Sequence, residues 1–170
     1  MVLGMSLGTY TLLHVVISLI GIGSGFVVMY GFFRGKPLNS WTAVFLTTTA
    51  LTSITGFGFP FTHLLPSHKV GIVSLIVLAV TIPARYVFHL AGPWRRTYVI
   101  GSTMALYFNV FVLVVQSFMK VPALHALAPT QTEAPFKVAQ LLVLAALVVL
   151  GTFAVKRFRL EPVRTISRAA

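Results

Sequence analysis

Between Tyr10 and Val155 the chain alternates apolar runs of about 20 residues with short polar or basic connections, and this alternation limits the fold more than any other feature. The runs are Tyr10–Phe33, Trp41–Leu65, Val70–Ala91, Tyr98–Met119 and Phe136–Val155. Each is long enough to cross the hydrocarbon core of a bilayer as a helix. Composition agrees, with 57% hydrophobic residues and 9% charged, where a soluble domain carries roughly a quarter charged. So few charges cannot cover a water-facing surface, and the sequence predicts an integral membrane protein. The opening stretch MVLGMSLGTYTLLHVVISLIGIGSGF lacks a basic leader and a small-x-small cleavage site, so it is expected to be retained as the first span.

The second run is the least apolar, because Thr47, Thr48, Thr49, Thr52, Ser53 and Thr55 interrupt it. Hydroxyls in a membrane helix can bond back to their own backbone carbonyls, so they lower hydropathy without forbidding a span. The basic residues give a separate test. Arg34 and Lys36 follow the first run, Arg95 and Arg96 the third, and Lys156, Arg157, Arg159, Arg164 and Arg168 the fifth. They fall on one side only if all five runs cross. The other connections hold Lys69, Lys120 and Lys137. By the positive-inside rule the N-terminus is then outside and the C-terminus cytoplasmic. Short connections favour antiparallel neighbours. The expected fold is therefore all-α: an up-and-down integral membrane bundle of five transmembrane helices over residues 1–157, followed by a basic cytoplasmic tail, 158–170.

Composition also removes several chemistries. There is no cysteine, so disulfides, iron–sulfur clusters and thiol catalysis are excluded. Glu133 and Glu161 are the only acidic residues and neither lies in a run. This argues against paired-carboxylate catalysis, calcium binding and proton transport through buried acids. The net charge of +11 sits in clusters between spans and forms no stripe, so nucleic acid is not an expected partner.

With this topology His14, His63, His68 and His125 gather toward the outer face, and His89 lies at the inner one. Imidazoles on neighbouring helices can ligate haem b or copper, and His14 with His63 is the best-placed pair. No spacing motif supports a site, however, and His63 and His68 are five residues apart, off the same-face spacing of a helix. The residues favour no cofactor over haem or copper, with His63, His68 and His125 as ordinary interfacial side chains. Arg85 lies about one and a half turns from the inner end of the third run, where it can snorkel or hold an anion such as a lipid headgroup. Gly21 and Gly25 form a GxxxG step suited to close helix packing against another span or a partner chain. The threonine-rich second run is expected to pack rather than conduct. The proline-rich outer connection KVPALHALAPTQTEAPF is expected to cap the bundle or dock a partner.

The phrases TGFGFPF, LPSHKVG and VPALHALAPTQTEAPF, with the five-span plan, resemble a group of small bacterial inner-membrane proteins of unassigned function. That resemblance implies the bacterial inner (cytoplasmic) membrane and supplies no activity and no site residues. The residues themselves favour a non-catalytic accessory subunit or scaffold, with the lipid bilayer and other membrane subunits as partners. A haem- or metal-binding redox module working with quinone is the first alternative, and a small transporter or channel the second.

Overall fold

The computed structural model describes residue 2 and residues 4–60 and 66–159. Among these the chain is helical, with no strand beyond an isolated bridge between Val2 and Met5. The helices are α1 (Leu7–Phe33), α2 (Asn39–Thr55), α3 (Pro66–Tyr86), α4 (Trp94–Lys120), the short α5 (Pro122–Leu127) and α6 (Ala134–Arg157). A single 3₁₀ turn, Gly56–Gly58, follows α2. Four of these helices, α1, α3, α4 and α6, are long and apolar enough to cross a membrane.

Contacts at both ends of each helix fix its direction. Early α1 meets late α2 through His14 and Thr55, and Ser53 late in α2 meets Ser74 early in α3. Thr81 late in α3 faces Gly101 early in α4. Phe118 late in α4 packs edge-on to Phe136 early in α6. Successive long helices are thus antiparallel, and α4 lies at the centre against α1, α2, α3 and α6. One end of the bundle holds Tyr10, His14, Thr55, His68 and α5. The other holds Arg34, Lys36, Arg85, Arg95, Arg96, Lys156 and Arg157.

Local chemistry moves several boundaries from those expected. Ser6 caps α1 by accepting the Thr9 amide at 3.1 Å, so the helix begins at Leu7 rather than Tyr10. The second helix ends at Thr55 instead of continuing to Leu65. Gly56–Gly58 tightens into a 3₁₀ turn, and Phe59 is extended ahead of Pro60, as a residue before proline prefers. The third helix ends at Tyr86, not Ala91. The Pro83 carbonyl takes both the Val87 and Phe88 amides, and the Ala84 carbonyl takes Leu90, which closes the helix in the left-handed turn of His89 (φ 49) and Leu90 (φ 61). Phe158, expected in the tail, is wholly buried against Phe32 and near Tyr98, so the packed unit extends past α6.

The apolar core of the bundle also encloses polar side chains, and its flanks are largely apolar. Ser24, Thr42, Thr49, Ser53, Ser74 and Asn109 are buried. Outward lie Leu12, Leu19, Ile76, Leu141, Leu142 and Phe153. A water-soluble bundle turns polar residues outward along such flanks. Four helices of spanning length with apolar outward faces fit a multi-pass membrane protein.

Candidate functional site

The polar groups of the core converge on α2, which exchanges side-chain hydrogen bonds with three other helices along its length. At the basic end Asn39 Oδ1 accepts from Arg85 of α3. One turn on, Thr42 Oγ1 pairs with the Tyr98 hydroxyl of α4 at 3.0 Å. At mid-depth Asn109 Nδ2 of α4 donates to Thr49 Oγ1 at 3.0 Å. Ser53 Oγ donates to Ser74 Oγ of α3 at 3.0 Å. At the far end Thr55 meets α1. Between the Thr42 and Thr49 pairs, the buried side chains of Phe45, Leu46 and Leu106 fill the interior, so the ladder of polar groups is not continuous.

Gly21 and Gly25 allow this close approach on the α1 side. A Cβ on Gly21 would lie 3.2 Å from Thr48 Oγ1 and 3.4 Å from Asn109 Nδ2. On Gly25 it would lie 2.8 Å from Leu106 Cδ1 and 2.9 Å from Phe45 Cε2. Both glycines face α2 and α4 within the chain, which leaves this face no room for a partner.

His14 closes the other end of the ladder. The Thr55 hydroxyl donates to the Leu51 carbonyl at 2.7 Å, so it accepts from His14 Nδ1–H at 2.8 Å. That network assigns the Nδ1–H tautomer and leaves the lone pair on Nε2. The Tyr10 hydroxyl donates to the Thr55 carbonyl at 2.7 Å, and Phe59 meets both rings edge-on. The first turns of α1 thus clasp the end of α2.

Among the described residues, the other histidines do not join His14. His68, expected at the interface, is buried in the first turn of α3 and stacks on Phe57 at 5.4 Å between centroids. His125 is exposed on α5. His63 lies outside the described residues, so the His14–His63 pair does too. Among the described residues no three His, Asp or Glu side chains come together as a metal site. His89 bonds the Val87 carbonyl in its turn at 3.0 Å.

Arg85 bonds Asn39, and its guanidinium carbon lies 5.7 Å from the Tyr98 ring centroid. It therefore ties α3 to α2 and α4. Arg95 donates to the Phe158 and Val155 carbonyls and caps the end of α6. The connection between α4 and α6 is itself a structured element. Gln131 Nε2 donates to the Val115 carbonyl at 3.0 Å and clamps it to α4. Glu133 accepts from the Thr130 amide and hydroxyl and from the Thr132 amide. Desolvation would raise the Glu133 carboxyl, but these hydrogen bonds outweigh it and hold the group below its ordinary value.

The sequence reading missed the α2 pairs, although Thr42, Thr49 and Ser53 fall on one helical stripe and could have been seen as such. Their partners, 21 to 60 residues away, carry no local signal. No protein-family model, curated protein or solved structure matches this chain.

Proposed function

We propose that this chain is a five-span, non-catalytic subunit or scaffold of a membrane complex in the bacterial inner membrane, with its N-terminus outside and its C-terminus cytoplasmic. The observation that carries the reading is the polarity of α2. Its hydroxyl stripe is buried and bonded to other helices, while Trp41, Val44, Leu51 and Ile54 face outward. A helix with polar groups inside and apolar groups outside suits lipid and not water. Length supports a crossing as well. The 17 residues of α2 span about 25 Å, and the three-residue 3₁₀ turn adds about 6 Å, close to a hydrocarbon core of about 30 Å. With α2 crossing, the arginine-rich end of the bundle lies on one side, and the positive-inside rule makes that side cytoplasmic.

The scaffold reading rests on how the interior groups are used. Arg85, Asn109, Thr42, Thr49 and Ser53 are engaged in holding helices to one another. At the opposite end the clamped outer connection presents the exposed Val121 and Leu127, a fixed apolar surface for a partner outside the membrane. The proposal includes no cofactor.

Because the chain has no cysteine, an introduced one is a unique label site. An impermeant maleimide applied from outside should label Pro60→Cys and Ala126→Cys, and spare Lys36→Cys until the membrane is opened. Labelling of residues 36 and 60 from the same side would remove the second crossing. Affinity purification in mild detergent should bring down a stoichiometric partner, and a lone monodisperse protein would count against the scaffold role. A Soret band or bound copper, after expression with both supplied, would replace this reading with the redox one.

A further inference from the structure

We propose that the cleft between α4 and α6 is a binding site for one anionic phospholipid, with an acyl chain along the cleft and the phosphate between Lys156 and Arg96. The cleft is a cavity of 530 Å³ lined by Ile100, Met104 and Tyr107 of α4 and Leu144, Val148 and Gly151 of α6. It opens sideways, since Ile100, Met104, Leu144 and Val148 are exposed along it. Its two threonines, Thr103 and Thr152, donate to their own helix carbonyls at 2.8 Å and 2.7 Å, to Val99 and Val148. Both threonine hydroxyls are thus spent on their own helix, and the rest of the wall is mainly apolar, which suits a hydrocarbon chain better than a polar partner.

Length and charge identify the occupant. From Leu144 to Lys156 the cleft runs about 18 Å along α6, near the roughly 15 Å depth of one leaflet. Lys156 stands at one end, in the last turn of α6. Arg96 is exposed one turn before Ile100, on the α4 stripe that continues through Met104 and Tyr107. A cation from each helix thus flanks the mouth at the basic end. Arg95 is committed beside them to the Val155 and Phe158 carbonyls. Glu133, the one acid among the described residues, lies at the opposite end before α6. An anionic headgroup therefore meets two positive side chains and, among the described residues, no negative one at that end.

The inference needs only that α4 and α6 cross the membrane, and it stands whether or not the chain has a partner subunit. The test is native mass spectrometry of the detergent-purified full chain, with phosphatidylglycerol and phosphatidylcholine as competing probes. Two cations on one phosphate predict roughly a 30-fold preference for phosphatidylglycerol. Arg96→Gln with Lys156→Gln should bring the two lipids close to equal retention. Val148→Trp, a change at an exposed position in the cleft, should abolish retention of both. If the double variant fails to fold, the wild-type preference should still fall as salt rises. Equal retention by the wild type, or unchanged lipid binding by Val148→Trp, overturns the proposal. So does a disulfide between copies carrying Met104→Cys in a bilayer, because a second chain would then occupy the cleft.

Discussion

Replacing Gly25 with alanine adds one methyl group where the structure leaves no room for it. The added carbon would lie 2.8 Å from Leu106 Cδ1, 2.9 Å from Phe45 Cε2 and 3.0 Å from Phe45 Cδ2. Comfortable carbon contacts begin near 3.5 Å. Both neighbours are 1% exposed and enclosed by the core, so neither can swing away. Overpacking of this kind costs about 1–3 kcal/mol. Alanine also gains about 0.5–1 kcal/mol over glycine in a helix interior, which would blur the result. Gly23 supplies the control, because it lies in the same helix and a Cβ there meets nothing within 4 Å. The propensity gain cancels between the two variants, so Gly25→Ala should be about 1–3 kcal/mol less stable than Gly23→Ala. At about 2–4 °C per kcal/mol for a chain of this size, thermal melting in mild detergent resolves that gap. Tryptophan emission from Trp41 and Trp94 reports it. Equal melting temperatures, or a more stable Gly25→Ala, would refute close packing of α1 on α2 and α4 at this depth.

Other changes address individual contacts. Asn109→Leu removes the donor to Thr49 and should cost about 0.6–1.7 kcal/mol in detergent unfolding, from the average to the largest value for interhelical hydrogen bonds in membranes. Tyr98→Phe keeps the ring beside Phe32 but loses the bond to Thr42, and should cost about 0.6 kcal/mol on average by the same measurement. Glu133 has a lowered carboxyl value in the folded chain, so its staple is present above the unfolded carboxyl value and lost as pH falls through the folded one. Amide exchange at Thr130 and Thr132 should therefore show protection that declines on acidification below the ordinary carboxylate range. Glu133→Gln should remove that pH dependence, and a profile unchanged in the variant would count against the staple.

The parts of the fold legible in the sequence depend on local hydropathy and charge. Four helices of spanning length are visible because their apolar runs are long and carry few charges. The parity of basic clusters also agrees with the antiparallel order seen at the helix ends. Boundaries were harder where a contact between distant segments sets them. The second run stays apolar to Leu65, yet α2 stops at Thr55, where Tyr10 takes the Thr55 carbonyl and packs over Gly58. The third run stays apolar to Ala91, yet α3 closes at Tyr86, and Phe88 stacks on Trp94 at 3.9 Å between centroids. His68 reads as an interfacial residue because it lies at the start of the third run, and its burial depends on Phe57 from the preceding segment. Arg85 reads as an unpaired cation because the spans hold no acid. Its partners are a neutral amide and an aromatic ring, which a search for opposite charges does not find.

Low hydropathy in α2 follows from its position. A hydroxyl facing lipid has only its own backbone as a partner, and an asparagine such as Asn109 has no comparable escape. Against α4 and α3, Thr42, Thr49 and Ser53 find partners at 3.0 Å, so their polarity stabilises helix pairing. The same residues make α2 dependent on its neighbours, because outside the bundle those bonds disappear while the outward Val44, Leu51 and Ile54 remain. In the proposed five-span topology α2 is a crossing element, and the interhelical bonds give a physical reason that such a crossing would be stable. The two arguments are independent. Basic-cluster parity concerns the connections, whereas the hydroxyl stripe concerns the interior. Their agreement therefore bears on whether α2 crosses more than its own hydropathy does.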